Sequence, residues 1–187
     1  PYTTLFRPTA TLALAAAALC LFATGCRHPR KTTSAPNSAD YADNIQALVA
    51  KPTLPILRWP NYSDYQSAVR TFYDDRNYEL AWTRNGKPTA TALAFIDEFD
   101  DAAAKGLNPE DYDAALWPGR VMELAGKSAD AISHFDVAMT VNVMRYISDL
   151  RIGRVNPSHF NFDINVQSKK YNLAEFVSDH VVDATDV

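Results

Sequence analysis

The feature that most constrains the fold is a segment over residues 128–152 in which apolar side chains recur every three or four positions. This spacing places them along one face of an amphipathic α-helix. Gly153 follows directly, and glycine favours the position just after a helix. A helix of this length must bury its apolar face against other elements. The stripe consists of Ile132, Phe135, Met139, Val143, Tyr146, Ile147 and Leu150.

Shorter helices are predicted on both sides of this segment. Ser63 and Gln66 have the spacing of a capping box, and a second helix begins near Thr89. Asn172 and Glu175 form another capping box before a last apolar stretch. Strand signals are limited to residues 81–83 and 160–166, and glycine is scarce, with 6 residues against 11 prolines. The chain therefore predicts an all-α or mostly α domain.

The N-terminal region has the order of an export signal. Arg7 precedes an apolar run over residues 12–23, which is shorter than the about 20 residues that cross a bilayer. The following Ala23-Thr24-Gly25-Cys26 resembles the bacterial lipoprotein cleavage box, in which the cysteine becomes an acylated N-terminus, although leucine is commoner than Ala23. We expect a lipoprotein-type signal peptide over residues 1–25 and lipidation of Cys26. Ordinary signal cleavage nearby is the alternative.

These expectations place the protein in the periplasm, anchored to a membrane by lipidated Cys26, or otherwise secreted there. Residues 26–61 are rich in Pro, Ser, Thr, Asn and Ala, with a weak amphipathic stretch at 45–49, and predict a flexible tether. The helical domain is expected over residues 62–187. Because the sequence starts at Pro1 and stops at Val187 without a terminal helix cap, we expect a missing start and a C-terminal truncation.

Charge and cysteine usage exclude several classes of function. The formal net charge is −4 and no basic patch is visible, so a nucleic-acid partner is not expected. Both cysteines lie within the first 26 residues, which argues against a disulfide framework or a structural zinc site. The sequence also lacks the common nucleophile-elbow, zinc-protease and phosphate-loop motifs. We therefore expect no metal, no cofactor and no catalytic residue in this chain.

Two further features invite a catalytic interpretation. Acidic residues cluster over residues 97–101, and paired carboxylates can perform acid–base chemistry. They lie off the apolar stripe of their helix, which favours a solvated face. His134 lies beside Phe135 on the long helix, where a partly exposed histidine is favoured over a metal ligand.

Three sequence blocks, taken in order, resemble one family. Residues 72–82 resemble an FY-x-x-R-x-Y-x-x-AW block, and residues 105–112 resemble a GL-x-PEDY block. Residues 136–157 resemble D-x-x-LT followed by RY and DLR-x-GRV-x-P. Together, over about residues 59–177, they resemble the N-terminal scaffold domain of the large periplasmic L,D-transpeptidases.

This resemblance implies a non-catalytic scaffold in an enzyme that cross-links and remodels peptidoglycan. The family's catalytic domain carries a cysteine in an S-x-G-C-x-R motif, and Gly25-Cys26 lacks both the serine and the correctly spaced arginine. The full-length protein would be an acyltransferase, whereas this chain would contribute binding and positioning. Its expected partners are peptidoglycan or a downstream catalytic domain, with the membrane reached through the lipid. The alternative is a freestanding periplasmic lipoprotein that binds peptidoglycan or a partner enzyme.

Four residues are candidates for contact with such a partner. Arg151 and Arg154, at the end of the long helix, complement its negative dipole end and could bind an anionic stem peptide or a neighbouring domain. Tyr78 and Trp82 are large amphipathic rings, suited to core packing or to stacking on a sugar.

Asp136 and Thr140 lie near the apolar stripe of the long helix. Buried polar side chains need hydrogen-bond partners. We therefore expect this pair to lock the long helix to a neighbouring helix.

Overall fold

A computed structural model describes residues 37–153 and 171–182, and every structural statement below concerns those residues. They form six α-helices, three short 3₁₀ segments and one small hairpin, which confirms the mostly α fold. The helices are α1 (Ser38–Val49), α2 (Ser63–Asp75), α3 (Ala90–Asp100), α4 (Trp117–Glu123), α5 (Ala129–Arg151) and α6 (Leu173–His180); the strands are β1 (Thr83–Arg84) and β2 (Lys87–Pro88); the 3₁₀ segments are Asp101–Lys105, Pro109–Tyr112 and Ala114–Leu116.

The long helix α5 is the centre of the fold. Helices α1, α2, α3 and α6 all pack against it. Every residue from Ile132 to Ser148 is buried except His134, so α5 is enclosed on most of its circumference rather than along one stripe. The predicted stripe is buried with one exception, Leu150, which is 47% exposed.

Helix starts follow the local sequence at three places. The side chains of Thr89, Ser128 and Asn172 each accept a hydrogen bond from the backbone N–H three residues later, at α3, α5 and α6. Such caps satisfy amides that have no partner inside the helix.

The start of α2 differs from the prediction. Its N-cap position is Tyr62, which makes no side-chain capping bond, so the predicted capping box of Ser63 and Gln66 is wrong. Tyr62 is buried, and its hydroxyl donates to the carbonyl of Lys51 at 2.6 Å. Asn61 instead accepts from the Ser63 amide at 2.9 Å. The start of α2 is thus marked by buried Tyr62 and by the local bond to Asn61, not by a capping box.

The predicted tether requires a correction. Helix α1 lies inside residues 26–61, begins with a capping box between Asn37 and Asp40, and packs along α5. Ile45 and Val49 of α1 are fully buried, and Leu54 is buried behind them. The folded unit thus includes residues 38–61, because a few well-spaced apolar side chains suffice when α5 offers a surface to cover.

The hairpin reverses the chain between α2 and α3. Thr83 pairs with Pro88 and Arg84 pairs with Lys87 in antiparallel register. Its turn residues, Asn85 and Gly86, have φ of 53° and 70°, as the tight turns that match strand twist require. The predicted strand at 160–166 lies outside the described residues. Within the described ranges, no helix combines the length and apolarity needed to cross a membrane.

Candidate functional site

A buried carboxylate on α5 gathers hydrogen bonds from two other parts of the fold. Asp136 is fully buried, and its Oδ1 accepts from the hydroxyl of Tyr73 and the amide of Ala81, both at 2.8 Å. Its Oδ2 accepts from the Trp82 amide at 2.9 Å and the Thr83 hydroxyl at 3.2 Å. We call Asp136 and these partners, together with Thr140, the carboxylate network.

Thr140 extends the carboxylate network by one helical turn. Its Oγ1 accepts from the indole N–H of Trp82 at 2.8 Å and lies 2.7 Å from the Tyr73 hydroxyl. The structure thus confirms that Asp136 and Thr140 lock α5 to another helix, namely α2. The same two residues also bind Ala81 and Trp82, which directly precede strand β1 of the hairpin.

The electrostatics of the carboxylate network favour structure over catalysis. Burial raises the pKa of Asp136, against the opposing effect of the Ala81 and Trp82 amides. Burial, and then the nearby Asp136 charge, holds the pKa of Tyr73 well above its usual range. Tyr73 therefore remains a hydrogen-bond donor, and neither group is exposed to a substrate.

A buried cation lies further along α5. Arg145 is 8% exposed, and its Nη2 donates to the carbonyls of Trp59 and Asn61 at 2.8 and 2.9 Å. Its Nη1 donates to Asn142 at 3.3 Å, and Asn142 in turn donates to the Tyr112 carbonyl at 3.0 Å. We call this set the guanidinium network, which fastens the loop between α1 and α2 to the helix.

Asp113 is a second point of attachment for the same loop. It is buried, with φ of 60°, a left-handed conformation that aspartate tolerates better than most residues. Its carboxylate accepts from the Arg58 amide at 3.0 Å and from Arg120 Nη1 at 2.8 Å. Arg120 also donates to the Ile56 carbonyl. The loop is therefore attached to both α5 and α4.

A family model described as a Scaffold domain matches residues 67–186 of the chain. The chain belongs to the Scaffold domain family. Comparison with curated proteins found no match, and comparison with solved structures found none either. The matched range contains every member of the carboxylate network. Helix α1 and the loop that follows it precede the matched range, although they pack on the helices of the Scaffold domain.

The acidic cluster of the Scaffold domain has a solvated arrangement. Asp97 and Asp101 are exposed. Glu98 pairs with Lys105, and the Tyr146 hydroxyl donates to Glu98 at 2.8 Å. The hydrogen bond from Lys105 lowers the pKa of Glu98, so this carboxyl remains ionised near neutral pH. Glu98 is thus held in its charged form, whereas a general acid must carry a proton.

The predicted contact residues lie in different environments. Trp82 is fully buried and bonded to Thr140, so it is a core residue and its suggested role in sugar stacking is wrong. Tyr78 is half-buried and donates to Asp74. Arg151 is exposed, with its guanidinium carbon 4.5 Å from the ring centroids of both Tyr171 and Phe176.

Arg154 and Cys26 lie outside the described residues, so their predicted roles remain predictions. Arg151 stacks against α6 rather than extending freely, because its guanidinium is weakly hydrated and favours aromatic faces. Arg151 contacts Tyr171 and Phe176, whereas Trp82 is bonded to Thr140.

An open depression of about 280 Å³ lies between α4 and α5. Arg120, Lys127, Asp130 and His134 contribute to its lining. His134 is partly exposed, as predicted, and its Nδ1 lies 3.0 Å from the Asp130 carbonyl of the preceding turn. Among the described residues, no group of three or more His, Cys, Asp or Glu side chains is arranged to hold a metal ion.

Sequence reasoning missed one exposed feature. Trp59 is 53% exposed and lies in the segment interpreted as a tether. A large aromatic side chain between Arg58 and Pro60, in a segment poor in such residues, was the signal that could have identified it.

Proposed function

We propose that this Scaffold domain is the non-catalytic helical module of a cell-wall L,D-transpeptidase and that it positions a peptidoglycan cross-linking domain. The proposal is supported by three sequence blocks that resemble that family in the same order. The observation that carries it is the carboxylate network, because all of its members except Thr83 come from the first and third blocks. Several residues that carry the resemblance therefore also join α2 and the hairpin entry to α5 by hydrogen bonds.

A positioning module needs rigidity, since a displacement of about 1 Å in a catalytic arrangement can cost about a hundredfold in rate. The carboxylate network provides it by joining α2, the hairpin entry and α5 through a fully satisfied buried carboxyl group. The same residues offer no exposed nucleophile or base. This combination suits a scaffold better than a catalyst.

The intact mass and peptide map of the native polypeptide that contains this sequence test the proposal. The polypeptide should be extracted from its own membranes. We expect a mass well above the 20.7 kDa of this chain, with a cysteine-containing catalytic domain in the added sequence. A mass equal to residues 26–187 plus acyl chains would contradict it and favour a freestanding lipoprotein that binds peptidoglycan or a partner enzyme.

Substitution of Asp136 in the native protein tests the positioning role. Asp136→Asn should lower the yield of cross-linked peptides. The Trp82 amide and the Thr83 hydroxyl, which donate to Asp136 Oδ2, would then face the N–H₂ group of the asparagine, which cannot accept a hydrogen bond. Asp97→Asn together with Asp101→Asn is the matched control, since both side chains are exposed. If the control lost activity and Asp136→Asn did not, the acidic-cluster enzyme would be favoured.

We also propose that Cys26 carries acyl chains and holds the domain at a periplasmic membrane. Several acyl chains, at about 0.8 kcal/mol for each buried CH₂, give stable anchoring. Cys26→Ser should move the protein from the membrane fraction to the soluble periplasm. An unchanged membrane fraction would contradict the lipid-anchor proposal. Cys20→Ser, inside the apolar run, is the control and should leave the protein in the membrane fraction.

A further inference from the structure

The three tryptophans of the chain differ sharply in exposure. Trp82 and Trp117 are fully buried, and their indole N–H groups donate to Thr140 and to the Tyr112 carbonyl. Trp59 is 53% exposed. An exposed indole offers a large flat apolar face, so Trp59 is the tryptophan available for contact at the surface.

Three hydrogen bonds hold the backbone at and next to Trp59. Arg145 binds the Trp59 carbonyl at 2.8 Å. The Leu54 amide donates to the Pro60 carbonyl at 2.8 Å, and the Tyr62 amide donates to the Pro52 carbonyl at 2.9 Å. A loop closed by these bonds presents the indole on a fixed base. Preorganisation of this kind reduces the entropy that a ligand must remove on binding.

Charged groups border the ring. The guanidinium carbon of Arg58 lies 5.9 Å from the Trp59 ring centroid, and Arg58 Nη2 pairs with Glu110 at 2.7 Å. The Arg58 and Glu110 side chains are 47% and 58% exposed. The Arg58 amide is itself fixed by Asp113. A flat apolar face therefore has both donors and acceptors at its edge.

We propose that Trp59, with Arg58 and Glu110 beside it, is a stacking platform for one pyranose ring of a glycan strand. One face of a β-linked pyranose consists of axial C–H groups and is apolar, while its rim carries hydroxyl or acetamido groups. The apolar face matches the indole, and the rim groups match the exposed ion pair. The choice of cell-wall glycan rests on the proposed function.

Two other occupants fit this surface less well. A nucleic acid would bring phosphates toward Glu110 on a chain whose net charge is −4, and phosphate attraction supplies most non-specific nucleic-acid binding. A specific protein interface buries about 800 Å² on each partner, whereas one aromatic side chain supplies about 150–250 Å². Here an ion pair borders the aromatic ring directly.

Tryptophan fluorescence tests the platform directly, because Trp59 is the one exposed indole among the three. The full chain is purified in mild detergent, and acrylamide quenching is measured with and without a β-1,4-linked N-acetylglucosamine tetramer. We expect the tetramer to reduce quenching. Trp59→Phe should remove the quenchable fraction while leaving the fluorescence of the two buried indoles.

Co-sedimentation with purified sacculi gives the second measurement. Trp59→Ala should weaken binding by about tenfold, equal to 1.4 kcal/mol, whereas Trp59→Phe should retain most of it because a flat ring remains. Met122→Ala, at a side chain that is 78% exposed, is the matched control and should bind as the parent does. Circular dichroism should show unchanged helix content in all three variants.

The proposal is overturned if the tetramer leaves the quenching unchanged, or if Trp59→Ala sediments with sacculi as well as the parent chain. It is also overturned if Met122→Ala loses binding to the same extent, since that would indicate general apolar adhesion. None of these results bears on the native mass, which tests the transpeptidase assignment separately.

Discussion

The two buried networks on α5 have opposite chemistry and different depths. The carboxylate network centres on an acceptor, Asp136, that is fully buried and surrounded by donors. The guanidinium network centres on a donor, Arg145, that is 8% exposed and bound to backbone carbonyls. The first immobilises the interior, whereas the second fixes a surface loop that carries Trp59. Buried charged groups on α5 thus both stabilise the core and fix the loop that carries Trp59.

The largest effect is expected from Asp136→Ala. Its removal leaves the buried donors of Tyr73, Ala81 and Trp82 without their acceptor, at about 1–3 kcal/mol for each unpaired group before relaxation. We expect the free energy of unfolding to fall by about 3–5 kcal/mol. Urea denaturation measures it. Asp97→Ala, at an exposed position, should change it by less than about 0.5 kcal/mol.

Arg145→Met should cost less. The freed carbonyls of Trp59 and Asn61 belong to exposed residues, so water can replace part of what they lose. We expect a loss of about 1–3 kcal/mol in urea denaturation. The same variant should change the acrylamide quenching of Trp59, which Asp136→Asn should leave unaltered. If Arg145→Met and Asp136→Asn changed the quenching of Trp59 equally, the guanidinium network would not be the one that fixes the Trp59 loop.

Tyr73→Phe removes a single donor from the carboxylate network. Asp136 retains the Ala81, Trp82 and Thr83 donors, so the carboxylate stays partly satisfied. The expected cost is about 1–1.5 kcal/mol, the net worth of one hydrogen bond. A double-mutant cycle with Thr140→Val would show coupling through the Tyr73 hydroxyl, and strict additivity would argue against it.

The smallest expected effect is a difference in pH dependence. Burial raises the pKa of Asp136 in the folded state above its unfolded value, so the folded protein binds the proton more tightly. The contribution of Asp136 to the free energy of unfolding is therefore greatest below its pKa in the unfolded state. It is lost as pH rises through its pKa in the folded state. Urea denaturation at several pH values gives the free energy of unfolding of the parent chain and of Asp136→Asn. The difference between the two should fall as pH rises. A difference that does not change with pH would contradict it.

Much of the local structure could be predicted from short-range patterns. The capping residues Thr89, Ser128 and Asn172 act within a few residues of their own helix. The function of individual side chains was harder to predict. Trp82 and Trp59 carry the same indole, yet one is buried against Thr140 and the other is exposed.

The sequence by itself determined the helical class, the extent of α5 and the need for Asp136 and Thr140 to be hydrogen-bonded, because periodicity and burial rules act locally. Only the tertiary structure decided which partners they meet. Asp136 lies 55 residues from Ala81, and Arg145 lies 86 residues from Trp59. Likewise, α1 joined the fold because α5 offered it an apolar surface. Contacts at such separations depend on how all the helices pack at once, which no local pattern encodes.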